Sequence, residues 1–320
     1  MEPYVDNGYN RTCFGAHSKA PRTYTYIIDE QFSDLCIFFS IANFVIFLPT
    51  ILLNAVILVQ LLRNSKLRIP RNISLISICT ADLLVGLIVQ PIYASHIVKI
   101  SQGDHVCSLS NFLVYTVPIL VVVTMVTHSI ISLERYFSVA QQQHYHKLFT
   151  KSKLVALQAA VWTVFLLCYI VPFITGNPVI GTKIIIVTIL LSIGASLWCY
   201  ISIYQTYRVK DGRTVAEMRG AYVITSYEPS DITPEEDAQI VNDVRLSKYY
   251  FVLYAIMLVF YLTYLVTRVL VSYDAVTGNS RYLAQFGVDT VLFVNALVNP
   301  FLILHNFRDI RQYCLPSFCQ

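Results

Sequence analysis

The sequence predicts an all-α membrane protein: a seven-transmembrane helix bundle with an extracellular N-terminus and a short amphipathic eighth helix. The composition, the long uncharged runs and the placement of Lys and Arg between those runs lead to this prediction. Of 320 residues, 56% are hydrophobic and only 13% are charged, with a mean hydropathy of +0.58. A soluble domain usually carries about a quarter of its residues charged, so the lipid bilayer is the expected solvent.

Each of the seven runs is long enough to cross a bilayer core, which takes roughly 20 apolar residues in a helix. The second and the seventh run each contain one charged residue, Asp82 and Asp289, and the other runs contain none. Helices are expected because every backbone group must be satisfied within lipid, whereas barrel strands would alternate in polarity. The runs comprise residues 35–62, 73–98, 109–133, 154–174, 184–207, 249–267 and 282–304.

Lys and Arg in the loops determine the predicted orientation. The loops 63–72 and 141–153 are rich in these residues and contain no acid, whereas the alternate loops hold few basic residues. Because basic loops face the cytoplasm, we expect the N-terminus to lie outside. The expected localisation is the plasma membrane, as a multi-pass protein. Asn10 begins an Asn-Arg-Thr glycosylation acceptor, which agrees with this orientation.

The chain divides into an extracellular segment 1–34, a bundle 35–305, and a cytoplasmic eighth helix and tail 306–320. The first segment has no apolar core of the kind that a signal peptide requires, so the first helix is expected to direct membrane insertion. Within the bundle, the acid-rich residues 208–248 predict a mobile cytoplasmic loop. The sequence shows no internal repeat, which many transporters have.

Polar residues inside the runs indicate a functional region, because ionisable groups are unfavourable in lipid and usually face the bundle interior. Asp82 lies midway along the second run, and Asn54, Asn295 and Asn299 are placed to converge on it. Two interpretations remain open: a hydrogen-bonded cluster that joins helices, or a functional group of residues that forms a small-cation site or a polar switch.

A charged triplet, Glu134-Arg135-Tyr136, stands at the cytoplasmic end of the third run. One interpretation is purely structural: Arg135 snorkels to the interface and pairs locally with Glu134. The spacing of the triplet does not exclude it.

Taken together, these residues resemble the rhodopsin-like family of G-protein-coupled receptors, over roughly residues 35–310. Each motif alone is weak, and the match rests on their order along the chain. The motifs are the second-helix stretch 74–87 with Asp82, the first-helix Asn54, the triplet Glu134-Arg135-Tyr136, the fourth-helix Trp162 and the seventh-helix pair Asn299-Pro300.

The resemblance implies a receptor for an unidentified extracellular ligand that drives nucleotide exchange on a heterotrimeric G protein. Glu134, Arg135 and Tyr136 are the implied coupling residues. It also implies a sodium ion in a polar switch, and no other cofactor is expected. The implied residues of this switch are Asn54, Asp82, Thr124, Asn295 and Asn299.

Several positions depart from the family's pattern. Tyr264 and Val266 stand where the sixth helix usually carries tryptophan and proline, and Ile303 replaces the tyrosine of Asn-Pro-x-x-Tyr. Leu246 falls where an acidic partner of Arg135 is often found. These departures keep open a receptor-like scavenger or partner subunit without ordinary G-protein coupling, and a transporter or channel is a further alternative.

The cysteines also depart from the pattern. The loop 175–183 contains no cysteine, so the family's usual bridge from this loop to the third helix cannot form. A disulfide between Cys13 and Cys107 is a candidate substitute. In the tail, Cys314 and Cys319 are either palmitoylation sites or reduced thiols.

The ligand pocket is expected in the outer half of the bundle. Val117 stands where amine receptors carry aspartate, and Phe293 where retinal proteins carry lysine, so neither ligand class is expected. Arg268 and Asp289 either pair with each other or engage an acidic and a cationic ligand group. The hypothesised pocket consists of Val117, Val121, Tyr264, Arg268, Asp289 and Phe293.

Other function classes find no support in the sequence. It shows no nucleophile–base set or metal cluster in the loops, so an enzyme is not expected. It has no basic stripe interleaved with aromatic residues, so nucleic acid is not an expected partner.

Overall fold

The computed structural model describes residues 8–13, 22–175, 178–218, 234–272 and 275–314. Within these ranges, seven helices are long and apolar enough to cross a membrane, which confirms the predicted all-α bundle. We call them the first to seventh membrane helices. They are Glu30–Arg63, Pro70–Ser101, Cys107–Ala140, Lys151–Thr175, Pro178–Met218, Pro234–Ser272 and Gly278–Asn306.

Local sequence signals mark where helices begin and end. The Asp29 side chain caps the first helix by accepting a hydrogen bond from the Phe32 N–H at 2.7 Å. Asn64 follows the last turn of this helix, and its side chain accepts from the Lys66 N–H at 3.0 Å. Pro70 is the first residue of the second helix. A backbone N–H at this position has no acceptor within the helix, so proline costs no hydrogen bond there.

The second membrane helix is not a uniform α-helix. A π-helical turn, Val85–Val89, interrupts it, and Pro91 is the second residue after this turn. Proline gives no N–H to the hydrogen-bond ladder, so the winding of the helix changes at such a place. The turn brings Gly86 against the first helix, where an added Cβ would lie 2.9 Å from Ile51 Cγ1.

The third membrane helix lies at the centre of the bundle, in contact with the second, fourth, fifth and sixth helices. Its buried residues extend from Ser110 to Val139. The first helix instead exposes an apolar outer face that includes Phe38 and Val45, as expected for a surface in lipid. The third helix can therefore position polar side chains inside the bundle.

Residues before the first helix form a two-stranded antiparallel sheet that the sequence pattern does not predict. Strand Gly8–Cys13 pairs with strand Arg22–Ile27. The Asn279 side chain at the start of the seventh helix exchanges two hydrogen bonds of 2.8 Å with the last residue of the second strand. Beside them, the buried Tyr26 ring packs 5.1 Å from the Tyr282 ring.

Two helices extend further into the cytoplasm than the sequence predicts. The fifth helix continues to Met218 and the sixth begins at Pro234, so helical residues occupy both ends of the stretch 208–248 predicted as a mobile loop. A helix needs apolar residues only while it crosses lipid, so the charge pattern did not reveal these extensions. The short helix Arg308–Cys314 follows the seventh, where the eighth helix was predicted.

Candidate functional site

Asp82 lies inside the bundle and is only 4% exposed. Asn299 of the seventh helix donates a hydrogen bond from Nδ2 to Asp82 Oδ2 at 2.9 Å. Asn54 instead donates to the backbone carbonyls of Thr50 and Ala296, at 2.9 and 3.0 Å. Asn299 thus joins the second and seventh helices at the carboxylate, and Asn54 joins the first and seventh helices through the backbone.

A cavity opens beside Asp82 in the middle of the bundle. Its free space is about 20 Å³, which suffices for one or two particles of the size of water, since one water takes about 10–15 Å³. The Asn295 Oδ1 atom is buried there and accepts no hydrogen bond from the described residues. The lining includes the polar residues Asp82, Thr124, Tyr261 and Asn295 and the apolar residues Val117, Val121 and Phe293.

This lining has the chemistry of a small-cation site. The Asp82 carboxylate, the Thr124 hydroxyl and the unsatisfied Asn295 carbonyl oxygen are the kinds of ligand that hard cations prefer. The residues that the resemblance implied for sodium therefore fit such an ion. Asp82, Thr124 and Asn295 of this set line the cavity, whereas Asn54 and Asn299 are absent from its wall.

Tyr261 of the sixth helix is the polar wall residue that the sequence motifs do not reveal. It lines the cavity together with Thr124 of the third helix and Asn295 of the seventh. Tyr264, which matches the family's tryptophan position by sequence, does not line the cavity. Residues three positions apart lie on the same face of a helix, so the sequence does not show which of the two tyrosines lines the cavity.

A second polar cluster is formed by the sixth and seventh helices. Arg268 Nη2 lies 3.3 Å from Asp289 Oδ1, with 20% and 8% of the two side chains exposed. The guanidinium carbon stands 5.0 Å from the centre of the Tyr264 ring, and the Tyr93 hydroxyl donates to the Phe286 carbonyl of the seventh helix at 3.4 Å. Of the two interpretations that the sequence left open, the structure shows the ion pair.

The hypothesised ligand pocket therefore falls into two parts. One part lines the cavity beside Asp82, and the other forms the ion-pair cluster. Val117, Val121 and Phe293 belong to the first part, and Tyr264, Arg268 and Asp289 belong to the second.

The charged triplet at the inner end of the third helix is buried at its first two residues. Arg135 Nη2 lies 2.8 Å from Glu134 Oε1, and each side chain is 1% exposed. Arg135 therefore does not snorkel to the interface, although its pairing with Glu134 is present. The Tyr145 hydroxyl donates to the same Glu134 oxygen at 3.0 Å. The Arg135 guanidinium carbon also stands 5.6 Å from the centre of the Tyr250 ring, on the sixth helix.

Tyr136, the third member of the triplet, contacts the fifth helix instead. Its ring packs 5.0 Å from the Trp198 ring, and its hydroxyl accepts a hydrogen bond from Gln141 Nε2 at 3.2 Å. Glu134 and Arg135 thus pair with each other, whereas Tyr136 has other neighbours.

The predicted modification sites are described only in part. Cys107 is disulfide-bonded, while the side chains of Cys13 and Asn10, on the first strand, lie outside the described set. Burial raises the pKa of the Cys314 thiol to about 11, which lowers its thiolate fraction. Cys319 lies outside the described residues.

Comparison with known proteins assigns the chain to a family. A model of the 7 transmembrane receptor (rhodopsin family) matches residues 53–302. The chain is 34% identical to the Probable G-protein coupled receptor No9 of Amphibalanus amphitrite, over 41% of this chain and 27% of that protein. It is 28% identical to the Melatonin receptor type 1C of Gallus gallus, over 39% of this chain and 36% of that one.

A third relative is the 5-hydroxytryptamine receptor 1D of Rattus norvegicus, 31% identical over 40% of this chain and 34% of that protein. The chain thus spans about a quarter to a third of the length of these relatives. The family model, in contrast, covers most of the chain. The protein therefore belongs to the rhodopsin family of seven-transmembrane receptors, which are receptors and not enzymes.

Proposed function

We propose that this protein is a G-protein-coupled receptor of the plasma membrane. It binds an extracellular ligand in the outer half of the bundle and promotes nucleotide exchange on a heterotrimeric G protein at the cytoplasmic face. The buried Glu134–Arg135 pair at the inner end of the third helix carries the proposal. A buried ion pair is weak evidence for a stabilising role. Because this chain belongs to a receptor family, the pair favours a role in switching instead.

The switch acts through two packings of the sixth helix. In the closed packing, the Tyr250 ring contacts Arg135, and the Tyr250 hydroxyl donates to the Arg71 carbonyl at 3.4 Å. Outward movement of the sixth helix breaks these contacts and opens a cleft in which Arg135 meets the G protein. A ligand drives this change by binding the open packing more tightly than the closed one.

The ligand contacts are proposed at Arg268, Asp289 and Tyr264. Arg268 remains 20% exposed beside its partner, so an acidic ligand group can compete with Asp289 for the guanidinium. A cationic group can compete for the carboxylate in the same way. Val117 offers no carboxylate on the third helix, so an amine would have to use Asp289.

A sodium ion is the proposed occupant of the cavity beside Asp82. Asp82, Thr124 and Asn295 supply the oxygen ligands, and Asn299 holds the carboxylate in place through its hydrogen bond. Bound there, the ion supplies a positive charge that offsets the buried carboxylate. Since it binds the closed packing, it shifts the population away from the active state.

Replacement of Arg135 tests the proposed coupling. We expect Arg135→Ala to reduce basal nucleotide exchange to the background of membranes without receptor, because the buried cation that meets the G protein is lost. Surface expression should persist. The measurement is nucleotide binding by G proteins of each main class, reconstituted with membranes that contain the full chain. Arg63→Ala is the matched control, because Arg63 is an exposed arginine at the end of the first helix.

Two results of this experiment would contradict the proposal. Full exchange by Arg135→Ala contradicts the role assigned to this residue. If the unsubstituted chain promotes exchange on no class of G protein, the receptor-like scavenger or partner subunit becomes the better assignment.

A further inference from the structure

Tyr261 contributes a hydroxyl to the cavity beside Asp82 from the sixth helix, the element that moves in the proposed switch. The residue is 4% exposed. It lines the cavity together with the polar residues Asp82, Thr124 and Asn295. A buried phenol hydroxyl usually has a polar partner, and a guest in this cavity would supply one.

Oxygen atoms from several helices surround the free space of about 20 Å³. The second helix supplies Asp82, the third Thr124, the sixth Tyr261 and the seventh Asn295. The Asn295 Oδ1 atom accepts no hydrogen bond from the described residues, so at least one oxygen is available to a guest. A phenol oxygen has lone pairs and can also act as a ligand, which an indole N–H at this position could not do.

We propose that Tyr261 is a ligand of the sodium ion and couples the ion to the position of the sixth helix. The inference rests on the proposed sodium site. Outward movement of the sixth helix withdraws the hydroxyl from the cavity, so the closed packing binds the ion more tightly than the open one. Ion binding and helix opening therefore oppose each other, as linkage requires.

Thermal unfolding of the purified full-length chain in detergent measures ion binding without a G protein. The unfolding temperature is recorded across a NaCl titration, with choline chloride keeping the ionic strength constant. Sodium should raise the unfolding temperature of the unsubstituted chain, and Asp82→Asn should abolish this rise. Tyr261→Phe should raise the half-maximal sodium concentration by roughly three- to tenfold, because one ligand of the ion is lost.

Two further variants make the comparison specific. Tyr254→Phe removes a buried phenol hydroxyl two turns nearer the cytoplasm on the same helix, where the ring packs against Tyr200 and does not line the cavity. Its sodium response should equal that of the unsubstituted chain. Tyr261→Trp keeps a ring but offers only an N–H donor, so it should behave like Tyr261→Phe. Each variant is compared with itself in NaCl and in choline chloride. A general loss of stability therefore does not change the half-maximal sodium concentration that is compared between variants.

Either of two outcomes overturns the inference. One is the absence of a sodium response in the unsubstituted chain, and the other is an unchanged half-maximal concentration in both Tyr261 variants. Neither outcome bears on nucleotide exchange, which Arg135→Ala tests separately. A failure of the sodium site is thereby distinguishable from a failure of the receptor function.

Discussion

Arg268 and Asp289 show, at the scale of single residues, how opposite charges are held within membrane helices. Each neutralises the other across 3.3 Å, and the Tyr264 ring lies beside the guanidinium. An unpaired charge deep in a membrane helix costs about 2.5–3.5 kcal/mol. The pair therefore lets two ionised groups persist in the bundle, where the partly exposed Arg268 remains open to a ligand.

Breaking this pair should destabilise the protein. We expect Arg268→Met and Asp289→Leu each to lower the free energy of unfolding by about 2–4 kcal/mol, because each leaves the partner charge buried and unpaired. The double variant should lose less than the sum of the two single losses, since no unpaired charge remains. Thermal unfolding of the four proteins in detergent gives the interaction energy, and strictly additive losses would refute the pair.

The sequence assigned polar residues correctly where a motif marks them. It did so less well where the rotation of a helix decides which residue faces the cavity. Asp82, Asn299 and Arg135 were assigned to the correct helices, because their neighbours in sequence mark them. The rotation of a helix depends on tertiary packing, which a uniformly apolar run does not report. Tyr261 was therefore missed in favour of Tyr264, although only the former lines the cavity.

At the scale of elements, the contact between the first and second membrane helices depends on a position without a side chain. Gly86 lies in the π-helical turn and is buried against Thr50 and Ile51 of the first helix. Small residues let helices approach closely in membranes, where van der Waals packing is a main source of association. The turn and the glycine together fix how close the two helices lie.

Adding one methyl group at this contact should therefore be unfavourable. The Cβ of Gly86→Ala would lie 2.9 Å from Ile51 Cγ1 and 3.3 Å from Thr50 Cγ2. We expect a loss of about 1–3 kcal/mol in the free energy of unfolding, as for other overpacked sites. Gly194→Ala is the matched control, because its Cβ would have no neighbour within 4 Å. Equal unfolding temperatures for the two variants would show that the close approach is unimportant.

The sequence predicted the membrane helices but not the N-terminal strands, and the reason is physical. Long apolar runs indicated every membrane helix, since each must satisfy its backbone within lipid. The strand Arg22–Ile27 carries only a short stretch of β-branched and aromatic residues, and a two-stranded sheet is marginal alone. It is held by Asn279 and by Tyr282 of the seventh helix, contacts that no local pattern shows.

At the scale of the whole molecule, the N-terminal sheet and the disulfide-bonded Cys107 both lie at the outer ends of membrane helices. The second strand binds the start of the seventh helix, and Cys107 is the first residue of the third. These two helices carry Asn299 and Arg135 at their inner ends. The extracellular surface is thus built onto the helices that hold both inner motifs.

We expect the partner of Cys107 to be Cys13. Cys319 belongs to the predicted cytoplasmic tail, on the opposite side of the membrane, and extracellular cysteines meet an oxidising compartment. Peptide mapping under non-reducing conditions should recover a Cys13–Cys107 peptide that disappears on reduction. The remaining cysteines are free thiols: Cys36, Cys79, Cys168, Cys199 and Cys314.

Stability measurements give an independent test of the same bond. A disulfide that closes a long loop restricts the unfolded chain, so Cys13→Ser and Cys107→Ser should each lose about 2–5 kcal/mol. The double variant should lose no more than either single variant, because both substitutions remove one shared bond. If the two losses add, each cysteine acts alone and the bridge is not between them. Cys168→Ser, which removes a free thiol of the fourth helix, is the control and should retain the stability of the unsubstituted chain.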